Sequence, residues 1–145
     1  MFPLHSPFFS KCRERYERNQ LAYITAIFER EFTSLNEYFS AVVRMKRTVP
    51  AEEIPFQPLL SRQSFAALNR KYNHSNWEKK SQKVLKKIGK MIAPSLQPVV
   101  VGAFREFLVA RFAVYRDLLL ECYGPNTSFA VDDIDKYFPK PKGQQ

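Results

Sequence analysis

Groups that do chemistry are thinly supplied in this chain. Its 145 residues include only two histidines, two cysteines and four glycines. His5 and His74 lie far apart, and no Cys/His group has the spacing of a metal site. Gly89, Gly102, Gly124 and Gly143 are scattered, so no glycine-rich loop cradles a phosphate. No serine stands in a nucleophile-elbow context. The acidic pairs Glu52-Glu53 and Asp132-Asp133 read as a linker charge and a helix-start charge. No residue is therefore assigned a catalytic, cofactor-binding or metal-binding role, and the protein is expected not to be an enzyme.

Long hydrophobic runs are also missing. The most apolar stretch, residues 99–123, is interrupted by Arg105, Glu106, Arg111, Arg116, Asp117 and Glu121. That pattern excludes an ordinary transmembrane helix. The first nine residues have neither a basic flank nor a long apolar core, which makes a poor secretory signal. Cys12 and Cys122 read as two unrelated thiols in a reducing compartment. The expected location is the cytoplasm, with the nucleus as the alternative.

What is present is core-forming material. Hydrophobic residues make up 45% and aromatic residues 14% of the chain, enough to drive a packed interior. The length suits one domain. We expect an all-α small helical bundle over residues 1–138, with 139–145 as a flexible tail. Residues 1–9 are expected to lie against the fold or fray.

Apolar side chains recur at three- and four-residue steps from Leu21 and Ile24 through Phe28 and Leu35 to Val42, with no Pro or Gly between. This predicts one long helix over 10–47. It reads as part of an intramolecular hairpin, with a coiled-coil partner as the alternative. Pro50, Pro55 and Pro58 then predict a linker or extended crossing, with Ile54 and Phe56 as core plugs. A short helix follows over 61–72, with Phe65, Leu68 and Tyr72 on one face.

The sharpest local signal comes next. Ser75 and Glu78 have the spacing of a capping box. On the helix that would follow, Trp77, Val84, Leu85, Ile88, Met91 and Ile92 share one face. Lys79, Lys80, Lys83, Lys86, Lys87 and Lys90 share the opposite one. Residues 70–92 hold eight basic residues and one acid, so this segment carries +7 of a net charge of +9. After Pro94 and Pro98, residues 98–123 predict the most apolar helix, ending at Gly124-Pro125. A final short turn is expected around 131–137. Phe28, Leu35, Phe39, Leu85, Ile88, Phe104, Phe107, Phe112 and Leu119 are the expected core.

The lysine face has three readings. It is a solvated surface, a docking face for an acidic protein or anionic membrane, or a non-specific nucleic-acid contact. Crowded like charges on one face repel, and a partner would relieve them. Lysines without interleaved arginines or exposed aromatics meet phosphates but do not read bases. The leading expectation is a non-catalytic protein-interaction module binding an acidic partner. Its partner-binding residues are Lys79, Lys80, Lys83, Lys86, Lys87 and Lys90. Nucleic acid and anionic lipid are the alternatives, and no cofactor is expected.

One segment carries a family resemblance. Ala103-Phe104, Phe107 and Tyr115-Arg116 follow the order found in the helix that opens the downstream part of DENN domains. Phe129 and the Asp132-Asp133 region resemble the short helix that follows it there. Residues 99–135 thus resemble the C-terminal helical part of DENN-domain proteins, without the strand-rich upstream part. The resemblance implies a fragment or relative of a DENN-type Rab GTPase regulator, hence membrane trafficking and a small GTPase as partner. No exchange activity and no GTPase-contact residue is carried over.

Overall fold

The fold was analysed in a computed structural model that describes residues 7–138, without the side chains of residues 7–10, 12 and 13. The expectations for residues 1–6 and for the tail 139–145 fall outside the described residues. Five α-helices follow in order: α1 (Pro7–Glu31), α2 (Thr33–Lys46), α3 (Arg62–Lys71), α4 (His74–Met91) and α5 (Gln97–Tyr123). Three 3₁₀ segments, Ala51–Phe56, Pro58–Leu60 and Ile134–Tyr137, complete the described elements. The all-α expectation holds, and no strand occurs among the described residues.

The predicted single helix over 10–47 is instead two helices meeting at Phe32, whose ψ is 42°. Neither Pro nor Gly causes the bend. The Thr33 hydroxyl lies 2.9 Å from the carbonyls of both Glu29 and Arg30, a back-bond that bends helices. Hydrogen bonding runs through the corner, with the Phe32 amide 2.8 Å from the Phe28 carbonyl. The bend turns Phe32 inward. Its ring is wholly buried, stacked on Phe28 at 5.5 Å and tilted against Trp77 at 4.9 Å.

Burial along α1 begins at Ile24. Upstream of it, Tyr16 and Leu21 are exposed. From Ile24 onward the stripe packs within the chain, as the hairpin reading expected.

The proline-rich crossing is not extended. It winds into two 3₁₀ segments, because Pro suits the first turn of a helix and short 3₁₀ runs need few backbone donors. Three residues per turn carry Ile54 and Leu60 inward. The same period carries Phe56 and Leu59 outward, where they are 82% and 84% exposed. Ile54 is therefore a core plug and Phe56 is not.

α5 is the centre of the bundle. Phe104, Leu108, Phe112, Tyr115 and Leu119 are buried along it. Tyr115 stacks on Phe39 of α2 at 4.1 Å, and Phe112 meets Trp77 of α4 edge-on at 5.4 Å. Such pairs add directional preference to simple area burial. Of the expected core, Leu85 and Phe107 are partly buried and the other seven are buried. Gly124 ends α5 with a φ of 89°, a left-handed value that other residues avoid. The chain then folds back over α5. Arg105 holds Asp135 at 2.9 Å and Arg116 holds Asp132 at 3.2 Å, while Val131, Ile134 and Phe138 are buried.

Candidate interaction surface

α4 starts two residues earlier than the Ser75/Glu78 box predicts. Asn73 is the cap, in an extended conformation, with its side-chain oxygen accepting from the Asn76 amide at 2.9 Å. Asn ranks among the best N-cap residues, so it displaces the serine two positions on. The Asn76 side chain also donates to the Lys71 carbonyl at 2.8 Å, closing the tight joint between α3 and α4. Ser75 and Glu78 are exposed within the first turns.

The inner face of α4 consists of Trp77, Ser81, Val84 and Ile88, all buried. Leu85 and Ile92 pack partly against the core. Met91 does not join them. It is 69% exposed, because it sits in the last turn, at the open end of a groove between α1 and α4.

The six lysines divide into two sets. At about 100° per residue, Lys79, Lys83, Lys86 and Lys90 form one stripe within about 60°, opposite the buried face. Lys80 and Lys87 lie on the flank toward α1. Lys80 is half-buried and its ammonium donates to the Glu31 carbonyl oxygen at 3.0 Å. It also stands 5.6 Å from the centre of the Tyr72 ring. Burial lowers its pKa, the Glu31 charge partly offsets that, and Lys71 and Lys83 push it further down. Lys87 helps line the α1–α4 groove, of about 440 Å³, with Tyr23, Ile27 and Arg30.

Lys83 is itself exposed, but it reaches the buried Glu31 carboxylate at 3.3 Å. Lys79, Lys86 and Lys90 are exposed and make no ion pair among the described residues. The structure thus ties Lys80 and Lys83 to α1 and leaves Lys79, Lys86 and Lys90 as an uncompensated basic stripe. Periodicity separated the lysines from the core. It could not show Glu31, whose partners lie about fifty residues away in sequence.

Sequence reasoning missed an apolar surface on the far side. Phe56 and Leu59 are exposed, and Leu59 lines a groove of about 530 Å³ with Ala41, Met45, Pro58 and Leu60. The available signal was the three-residue spacing of two large apolar residues, each directly after a proline. No group of three or more His, Cys, Asp or Glu side chains able to hold a metal ion occurs among the described residues. Among them, no helix is long and apolar enough to cross a membrane. Cys122 is a buried free thiol whose pKa is raised by that burial, and the Cys12 side chain lies outside the described residues.

No protein-family profile matches the chain. It is similar to exocyst complex component 1 of Dictyostelium discoideum, with 25% identity over 125 residues. The aligned region covers 85% of this chain and 14% of that protein, so the chain spans about a seventh of its relative's length. No solved structure matches.

Proposed function

We propose that this chain is a non-catalytic protein-interaction module that docks an acidic partner protein on the outer face of α4, within the cytoplasmic machinery of membrane trafficking. The observation that carries it is the uncompensated stripe of Lys79, Lys86 and Lys90 on a helix fixed rigidly by a buried opposite face. A lysine stripe with no acid of its own raises the local potential and attracts a complementary surface. Lys83, within the same stripe, and Lys87, on its flank, add to that potential. Similarity to a protein named as a component of the exocyst complex supports assembly with other proteins as the role.

Nucleic acid is the weaker reading of the same face. The stripe contains no arginine and no exposed aromatic on which a base could stack. The DENN resemblance would make a small GTPase the partner. Phe104 and Tyr115 of the shared pattern lie in the chain's own core and Arg116 is held by Asp132, so the resemblance names no GTPase-contact residue.

The test is affinity capture from a cell extract on immobilised wild type and on Lys79→Glu/Lys86→Glu/Lys90→Glu, at low and moderate salt. Acidic proteins held by the wild type and lost from the folded variant support the reading. Equal capture by both makes the face a solvated surface. Capture dominated by RNA or DNA replaces the protein partner with nucleic acid.

A further inference from the structure

α2 and α5 leave a groove between them, part apolar and part basic, that no α4 residue lines. Its cavity is about 350 Å³. Val43 and Val114 form its exposed walls, 42% and 53% accessible, over a floor that includes Phe39, Tyr115 and Leu118.

The rim carries three arginines, Arg44, Arg47 and Arg111, and no acidic residue lines the groove. None of the three has an ion pair among the described residues. Arg111 is held instead over the rings of Phe107 and Phe28, 4.8 and 5.5 Å from their centres. Its guanidinium is therefore positioned without being neutralised. The Tyr115 hydroxyl is sealed at the floor and makes no hydrogen bond of acceptable geometry, although Arg111 lies near it.

We infer that this groove receives an amphipathic helix of a partner protein, its apolar residues between Val43 and Val114 and its acidic residues on the arginines. The walls are two helices, and a third helix is the element that packs naturally between them. Charge complementarity selects the sign of its flanks. Guanidinium groups form paired hydrogen bonds to carboxylates, which a lysine rim would not. This surface is separate from the lysine stripe, and neither proposal depends on the other.

The test uses a synthetic helical peptide with leucines at three- and four-residue spacing flanked by glutamates. Binding is read by calorimetry and by amide chemical shifts of the full chain. The peptide is expected to bind and to move the amides of Val43, Arg44, Val114 and Leu118. Replacing its glutamates by glutamine, or using Arg44→Glu/Arg47→Glu, is expected to weaken binding at least about tenfold. In Lys79→Glu/Lys86→Glu the shifts at Val43, Arg44, Val114 and Leu118 are expected to persist. Absence of binding, absence of shifts at the groove, or indifference of the groove shifts to the arginine variant would overturn the inference. So would loss of binding in the lysine variant, or phosphatidylserine vesicles producing the same shifts more strongly than the peptide.

Discussion

Lys83 reaches the Glu31 carboxylate at 3.3 Å, with the acid almost fully enclosed and the lysine largely in solvent. The pair joins the corner between α1 and α2 to the outer face of α4. It makes Lys83 a structural residue as well as a member of the basic stripe.

Reversing that charge should be felt by the fold. Lys83→Glu sets a second carboxylate against an enclosed one and should cost about 1–2 kcal/mol, less than a fully buried pair because the lysine is hydrated. Lys86→Glu, with no such partner, should change stability by under about 0.5 kcal/mol. Urea unfolding of the two variants compares them directly.

The core should answer sharply to loss of the Phe39–Tyr115 stack. Phe39 is buried and also meets Phe65 and Phe129. Phe39→Ala should destabilise by about 3–5 kcal/mol, the range for deleting a buried ring. Thermal and urea unfolding provide the measure.

Among the described residues three buried hydroxyls lack hydrogen-bond partners, Tyr23 on α1, Ser81 on α4 and Tyr115 on α5, and the last two lie deepest in the core. Removing an unsatisfied polar group relieves its desolvation cost. Ser81→Ala and Tyr115→Phe should therefore leave stability unchanged or raise it by up to about 1 kcal/mol. For Ser81→Ala, the better helix propensity of alanine acts in the same direction. A loss of more than that in either variant would show that the hydroxyl is bonded in solution.

Stability should fall above pH 10. Burial raises the pKa of Tyr23, Tyr38, Tyr72, Tyr123 and Tyr115, the last pushed up to about 12, against an ordinary value of 10.0. Above pH 10 the unfolded chain loses these protons more readily than the folded one, so alkali favours unfolding. Lys80, with its lowered pKa, acts in the opposite direction, but it is one group against five. Urea unfolding at pH 8 and pH 10.5, with tyrosinate absorbance followed alongside, should show this loss.

Much of the fold was legible from periodicity. The inner face of α4, the apolar run of α5 and the glycine stop at Gly124 all follow from residue spacing and backbone preference. What was not legible depended on tertiary contacts or on competition between similar residues. The bend at Phe32 needed Thr33 to turn back onto its own helix, which no breaker residue announced. The Ser75/Glu78 spacing pointed to Ser75 as the cap, and the tight joint to α3 made Asn73 the cap instead. Phe56 looked like a core residue because an extended crossing was assumed, and the three-residue period of a 3₁₀ turn placed it outside. For the lysine face, sequence showed where the charge lies. The division between tethered and free lysines depended on Glu31, distant in the chain.

The most direct test of the central claim is amide chemical-shift mapping of the isotope-labelled chain with a poly-glutamate peptide as the acidic surface. The account predicts, at low salt, shifts centred on Lys79, Lys86 and Lys90 that fade as salt rises and vanish in the triple lysine-to-glutamate variant. No shifts along α4 at low salt, or α4 shifts that persist in that variant, would contradict it.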